Sequence, residues 1–214
     1  MELPVLIHRA RLGAEEFRVI RPARALPEAE LVAGPLGFDL WVDTDACRVL
    51  GGLWLLAARS PRSLVHVPLR SGWASAPGDG PRADLDLVLL HHSLRFAPSR
   101  WKALRSRLDA GRPTTARLGR GNGGVPEPHR RENRDRFVQH EHAETLFMTG
   151  SAPVFRETAR HFLDLVHEGP AHARAGAPGH ACARFHSADG VLARGAAEIH
   201  VVHVPDGSEG PANG

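Results

Sequence analysis

One stretch of the sequence, residues 46–59, constrains the fold more than any other. Asp43 and Asp45 offer an N-cap before the stretch, and Ser60-Pro61 ends it. Its apolar residues fall at helical spacing, and they are Val49, Leu50, Leu53, Trp54, Leu56 and Ala57. Because this helix is apolar on almost every side, other elements must surround it, and we expect it to be central and buried.

The segments around this helix predict further helices and a set of short strands. Residues 154–168 carry one apolar stripe at helical spacing, and we expect Gly169-Pro170 to end that helix. Another helix begins near Pro98, and residues 27–33 are interpreted as one or two helical turns. The predicted strands are 4–10, 16–20, 38–42, 64–69, 84–92, 144–149 and a terminal hairpin of 180–186 with 191–204 around the turn Asp189-Gly190.

These elements predict an α+β fold in a single domain, residues 1–205, with a flexible tail at 206–214. Hairpins at both ends imply antiparallel pairing, and the alternation of strands and helices in the middle allows some parallel pairs. We expect one mixed, mainly antiparallel sheet with two principal helices, 46–59 and 154–168, packed on it. A three-layer α/β arrangement is the alternative.

Composition is that of an ordinary globular protein. Of 214 residues, 42% are hydrophobic and 24% are charged, which allows a full core without disulfides or metals. No apolar run reaches the roughly 18–20 residues that span a bilayer, and the first residues lack the features of a secretory signal, so we expect a cytoplasmic protein. Cys47 and Cys182 are too few for a disulfide framework, and we expect two buried thiols.

The charge pattern argues against sequence-specific DNA binding. The net charge is only +3, most arginines are scattered, and the chain shows neither zinc-finger spacing nor a basic helix after a tight turn. The alternative is binding of a nucleic-acid backbone by residues 117–136, within a long segment, 111–136, that is interpreted as irregular. That alternative predicts salt-sensitive binding that is abolished by neutralising Arg130, Arg131 and Arg134.

His91 and His92 directly follow a predicted buried strand, at a position where open sheets often bind ligands. Adjacent side chains on a strand point to opposite faces. One imidazole could therefore act as a general acid or base while the other packs or caps. The structural alternative is that both histidines lie at the sheet edge and bond to backbone groups.

His140, His142 and Glu144 alternate at the start of a later predicted strand. If the segment is extended, they share one face, and two imidazoles with one carboxylate suit zinc, iron or manganese. If it is helical, His140 and Glu144 form an i, i+4 pair and His142 points elsewhere. The His-x-His spacing before Glu144 and Gly150 resembles the first cupin motif, although Glu144 comes two residues too early.

Two features indicate a possible anion site. Gly150 and Ser151 stand between a predicted strand and a predicted helix, and helix N-termini attract phosphate or carboxylate groups. Arg120 belongs to the glycine-rich residues 119–124, whose backbone amides and guanidinium could hold such an anion. The alternatives are that Ser151 only caps the helix and that residues 119–124 are a surface loop.

Residues 187–198 resemble the final hairpin of hotdog-fold acyl-thioester enzymes. The resemblance implies an antiparallel sheet wrapped around the helix at 46–59, and it implies a carrier-bound acyl substrate. The helix at 154–168 has no counterpart in a single hotdog domain.

Fourteen histidines, several of them near strand ends, favour acid–base chemistry at neutral pH. We hypothesise an enzyme that acts on a small organic or carrier-bound acyl substrate with His91, His92, His140, His142 and Glu144, provided that their strands are neighbours. One alternative is a non-catalytic binding or accessory protein of a biosynthetic pathway. The other is a metal-dependent enzyme centred on His140, His142 and Glu144. The sequence indicates no particular cofactor and no oligomeric state.

Overall fold

The computed structural model describes residues 1–34, 37–70, 83–119, 135–175 and 180–205. The described helices are α1 (Thr44–Arg59), α2 (Trp101–Arg105) and α3 (Ala152–Arg174), with 3-10 turns at His92–Leu94 and Pro98–Arg100. The described strands are β1 (Glu2–Leu12), β2 (Glu15–Pro22), β3 (Ala29–Gly34), β4 (Gly37–Val42), β5 (Ser63–Val67), β6 (Ala83–Asp84), β7 (Asp86–His91), β8 (Arg112–Arg117), β9 (Val138–Glu141), β10 (Thr145–Gly150), β11 (Cys182–Phe185) and β12 (Glu198–His203).

These strands divide into two hydrogen-bonded sheets. The larger has the order β8-β1-β2-β5-β7-β10-β9, and the smaller has the order β11-β12-β4-β3-β6. Among the described pairs, β2–β5, β7–β10 and β4–β12 are parallel, and the others are antiparallel. The predicted α+β class and mainly antiparallel pairing are confirmed. The strands form two sheets where the sequence analysis expected one.

The chain passes from the smaller sheet to the larger one at Leu85. β6 pairs with β3, and β7 lies between β5 and β10. The Leu85 N–H donates to the carbonyl of Leu31 at 2.8 Å, and the Asp86 N–H donates to the carbonyl of Glu144 at 2.9 Å. Two consecutive N–H groups thus donate to different sheets, so both have hydrogen-bond partners where the chain passes from one sheet to the other.

Helix α1 lies at the centre of the main core, as its apolar surface predicts. The carboxylate of Asp43 caps its start by accepting the Ala46 N–H at 2.6 Å. Its packing partner is the second predicted helix, α3. A side chain at Gly51 would meet Leu163 at 2.9 Å, so the glycine lets the two helices approach closely. The rings of Trp54 and Phe162 meet with centroids 4.6 Å apart.

A second core covers the other face of the larger sheet. It joins side chains of the sheet to Trp101 and Leu104 of α2, both fully buried. The sheet residues in this cluster are Ala10, Leu12, Phe17, Val19, Leu64, Val88, Leu90 and Phe147. The larger sheet is therefore buried on both faces, which explains the continuous apolar run in β7.

Three predicted elements differ from the structure. The helical turns expected at 27–33 are wrong, because residues Ala29–Gly34 form β3 between β4 and β6. The helix expected to end at Gly169-Pro170 continues to Arg174. A Cβ at Gly169 would lie 2.4 Å from the ring of His203, so glycine lets the last turns of α3 lie against β12. Residues Arg112–Arg117, expected to be irregular, pair with β1 as β8.

The terminal hairpin is confirmed as an antiparallel pair of β11 and β12. The two strands are joined by residues 186–197 and not by a tight turn at Asp189-Gly190 alone. The intervening chain folds back so that the Phe137 N–H donates to the carbonyl of Val191 at 2.8 Å. The hotdog arrangement is not formed, because β12 pairs in parallel with β4 and α1 packs against α3.

The predicted tail, the loop expected at 71–81, and residues 120–124 and 130–134 lie outside the described residues. None of the helices in the described ranges is long and apolar enough to cross a membrane.

Candidate functional site

The five residues of the acid–base hypothesis lie on or next to β7, β9 and β10, which are adjacent in the sheet, but the structure does not bring them together. β7 and β10 run parallel, with His91 beside Gly150 and Asp86 beside Thr145. This ladder of six residues separates its two ends by about 17 Å at roughly 3.4 Å per residue. His91 and His92 lie at one end, and His142 and Glu144 precede the other. His140 lies on β9 opposite Phe147, near the middle of β10.

His91 and His92 have the geometry of edge histidines. Their rings lie against each other with centroids 4.2 Å apart. Nδ1 of His91 accepts the Ser93 N–H at 3.2 Å and contacts the Ser93 hydroxyl at 2.7 Å. Partial burial, and then the neighbouring His92, lower the pKa of His91. The His91 ring therefore caps the short turn that follows β7, which agrees with the structural alternative for this histidine.

His140, His142 and Glu144 flank a tight turn between β9 and β10. Ala143 and Glu144 adopt left-handed backbone conformations with φ of 49° and 55°, and the His142 N–H donates to the carbonyl of Thr145 at 3.0 Å. The two imidazole centroids are 6.3 Å apart, and the Glu144 carboxylate pairs with Arg70. These three side chains do not form a converged ligand set, so metal binding here stays a prediction without geometric support.

A negatively charged side chain of the protein, the carboxylate of Asp135, already lies at the start of α3. The Ser151 hydroxyl donates to the carboxylate of Asp135 at 2.7 Å, and its oxygen caps the helix by accepting the Val154 N–H at 3.5 Å. A Cβ at Gly150 would meet the Phe137 ring at 2.7 Å, so this glycine serves close packing. Arg120, the third predicted anion ligand, lies outside the described residues.

A cleft of about 600 Å³ opens between the start of β1, the β2–β3 connection and the start of α1. Leu3 and Leu26 in its lining are buried and Val49 is half-buried, so these residues form an apolar floor. Its charged lining residues other than Asp43 are exposed and form the rim. Its lining comprises Met1, Glu2, Leu3, Pro4, Pro22, Ala23, Arg24, Ala25, Leu26, Pro27, Glu28, Asp43, Asp45, Ala46, Arg48 and Val49. None of the sequence-predicted site residues lines this cleft. The volume lies within the range of small-molecule sites, roughly 300–1,000 Å³.

Asp86, at the start of β7, is the centre of a charged network that the sequence analysis missed. The Leu69 N–H donates to its Oδ1 at 3.1 Å. Its Oδ2 lies 3.2 Å from Nε of Arg70 and 3.3 Å from Nη1 of Arg105. The same oxygen is 3.4 Å from Nε2 of His66, whose side chain is only 2% exposed.

The network fixes His66 in its neutral form. Nε of Arg21 donates to Nδ1 of His66 at 2.9 Å, so the ring proton lies on Nε2, facing Asp86. Burial lowers the pKa of His66 to about 4, against the opposing effect of Asp86. Burial by itself would raise the pKa of Asp86, but bonding to His66, the amide of Leu69 and the charge of Arg70 outweigh it and lower that pKa to about 2.

This network is structural, because a substrate cannot reach His66. The ring of Trp101 lies edge-on to the imidazole with centroids 4.8 Å apart. The network joins β2, β5, β7 and α2 through Arg21, His66, Asp86 and Arg105. The sequence signal was available, since a lone histidine stands inside the apolar strand β5 and an aspartate begins the apolar strand β7.

A further cluster occupies the outer face of the smaller sheet. Among the described residues, His180, Cys182 and His200 form the one group of three whose ligand atoms converge, all within 4.8 Å of one another. Cys182 is exposed, so the expectation that both thiols are buried is confirmed only for Cys47. Burial lowers the pKa of His200, helped by the charges of Arg184 and His180 and opposed by Asp39.

Comparison of the chain with protein families, with curated proteins and with solved structures gave no match. Its function must therefore be inferred from the geometry of its own residues.

Proposed function

We propose that this chain binds a small organic molecule in the 600 Å³ cleft at the start of α1, as a binding or accessory protein. The observation that carries the proposal is a cleft of ligand size with an apolar floor and a charged rim. Burying an apolar ligand surface there supplies affinity, and the rim supplies orientation.

The lining favours an amphipathic ligand that is neutral or cationic. Its ionisable side chains are four carboxylates, Glu2, Glu28, Asp43 and Asp45, and two guanidiniums, Arg24 and Arg48. Arg48 is paired with Asp45. The amino group of Met1, which also lines the cleft, donates to the carbonyl of Leu118 at 2.8 Å. With the Met1 ammonium, the lining carries four carboxylates against three cationic groups, so an anionic ligand would approach a small excess of negative charge, which costs affinity.

The acid–base enzyme remains a weaker hypothesis. A general base must lie within hydrogen-bond reach of the proton that it removes, directly or through one water. His91, His92, His140, His142 and Glu144 lie outside the cleft. The first two and the last two are at opposite ends of the β7–β10 ladder, and His140 lies on β9 opposite Phe147. Binding without catalysis is thus the simpler account of this geometry.

The proposal is tested by filling the cleft. Val49→Trp places a large ring in the lining, and Val138→Trp makes the same substitution at a side chain on edge strand β9 that is 52% exposed. Hexylamine, hexanol and hexanoic acid are titrated into each ¹⁵N-labelled protein while amide shifts are followed by NMR. We expect the amine and the alcohol to shift amides of the cleft in the wild type and in Val138→Trp. In Val49→Trp their affinity should fall at least about tenfold.

Two results would overturn the proposal. One is the absence of cleft shifts with all three probes. The other is equal affinity in the Val49→Trp and Val138→Trp proteins. Tighter binding of hexanoic acid than of hexylamine would contradict the expected charge preference.

A further inference from the structure

From the juxtaposition of His180, Cys182 and His200 beside Asp39, we propose a zinc site with three protein ligands on the outer face of the smaller sheet. The site lies on other elements than the cleft, so it is independent of the proposed ligand binding.

The strand register brings these residues together although they are distant in sequence. In the β11–β12 pair, Cys182 lies opposite Val202 and Arg184 lies opposite His200. Side chains two residues apart share a face, so Cys182 and His200 are diagonal neighbours. His180 lies two residues before Cys182, just ahead of β11.

The spacing of the ligand atoms suits tetrahedral zinc. Nε2 of His180 and Nε2 of His200 are 3.3 Å apart. Two imidazole nitrogens, each about 2.0–2.1 Å from a tetrahedral zinc ion, lie about 3.3–3.4 Å from each other. The thiolate of Cys182 bonds at a longer distance, about 2.3 Å, and its sulfur lies within 4.8 Å of a ring nitrogen of each histidine.

Histidines that bind a metal through one ring nitrogen commonly donate the other N–H to a carboxylate, and Asp39 is placed to accept that hydrogen bond from His200. β4 and β12 pair in parallel with Asp39 beside His200, and Oδ1 of Asp39 lies 3.4 Å from Nδ1 of His200. A proton held on Nδ1 by this carboxylate leaves the lone pair of Nε2 directed at the metal position. Asp39 is thus a positioning residue.

The donor set selects the metal and leaves room for a fourth ligand. One thiolate with two neutral imidazoles suits Zn²⁺ better than the hard cations Mg²⁺ or Ca²⁺, which prefer oxygen ligands. His180 and Cys182 are exposed, and a hollow of about 360 Å³ borders His200 beside Asp39, Arg184 and Glu198. Three protein ligands with an accessible fourth position characterise zinc sites that hold a water molecule or a substrate.

The test titrates metal-free, reduced full-length protein with ZnCl₂ by calorimetry, and with CoCl₂ to follow thiolate-to-cobalt absorption. We expect one equivalent of Zn²⁺ and a thiolate band with Co²⁺. Cys182→Ser should remove the band, and His200→Gln should weaken zinc binding at least about tenfold. The matched control is the double variant His140→Gln/His142→Gln, which should bind zinc like the wild type.

Two further variants separate ligation from folding. His180→Gln changes an exposed residue outside the strands and should also weaken binding at least about tenfold. Asp39→Asn leaves the three ligands intact and should weaken binding about tenfold. Thermal unfolding of the metal-free variants should match the wild type. Unchanged zinc affinity in Cys182→Ser, His180→Gln and His200→Gln overturns the proposal, as does binding that is lost only in the His140→Gln/His142→Gln protein. Val49→Trp should leave zinc binding unchanged, so failure here is distinguishable from failure of the cleft proposal.

Discussion

Acidification should destabilise this fold through one buried histidine, His66. Its pKa is lowered from 6.5 to about 4 in the folded protein, chiefly because burial disfavours the charged ring, and the nearby charge of Arg21 adds to this effect against the opposing Asp86. Below pH 6.5 the unfolded chain takes up a proton that the folded chain refuses. Stability is therefore present above pH 6.5 and is lost as the pH falls towards 4. At about 1.4 kcal/mol for each pH unit, the loss amounts to about 3 kcal/mol.

The variant His66→Gln isolates this effect. A glutamine amide can accept from Arg21 and donate to Asp86, but it does not titrate. Free energies of unfolding are measured with urea at intervals from pH 7.5 to pH 4.5. This range excludes Asp86, whose pKa of about 2 affects stability only below its ordinary value of 3.8.

We expect the stability difference between wild type and His66→Gln to change by about 2.5 kcal/mol across this pH range, in favour of the variant at low pH. The other histidines contribute to both proteins and cancel in the difference. If the curves for wild type and His66→Gln stay parallel, His66 is not held neutral, and the reasoning is refuted.

Three further predictions concern stability and are measured by urea unfolding at neutral pH. Leu53→Ala and Phe162→Ala should each cost about 2–5 kcal/mol, because both side chains are fully buried between α1 and its partners; costs below about 1 kcal/mol would contradict a shared core. Asp43→Ala should cost about 1 kcal/mol by removing the cap of α1, and an unchanged midpoint would show that the cap is dispensable. Gly169→Ala should cost about 1–3 kcal/mol, because its Cβ would strike a histidine ring of β12 at 2.4 Å, whereas Gly119→Ala, with open space around its Cβ position, should be nearly neutral.

The sequence predicted the helices well because their signals are local. The apolar residues of α1 and α3 recur at helical spacing within one segment, and Asp43 caps α1 where the sequence indicates. β3 was missed because its short apolar run has no distinctive period. Its conformation is decided by pairing with β4 and β6. Local pattern therefore fixes helices more surely than strands in this chain.

The candidate sites depended on register, which sequence patterns do not reveal. The hypothesis correctly required β7 and β10 to be neighbours, but a parallel ladder keeps His91 and Glu144 at opposite ends. Conversely, Cys182 and His200 meet only because β11 and β12 pair with that particular offset. The hairpin itself was predicted, but the connection between its strands is longer than the Asp189-Gly190 turn, so the sequence does not reveal the register.

Because β4 pairs with β12, the smaller sheet can form only late during synthesis of the chain on the ribosome. β4 ends at Val42, and its partner begins at Glu198, so all the residues between these strands must be synthesised before the smaller sheet can close. Until then β4 presents an unpaired edge, the kind of surface that recruits other nascent chains. Such non-local pairing slows folding, because a long loop must close before its contacts stabilise the structure. Newly made chains should consequently depend on chaperones for longer than a helical protein of equal size.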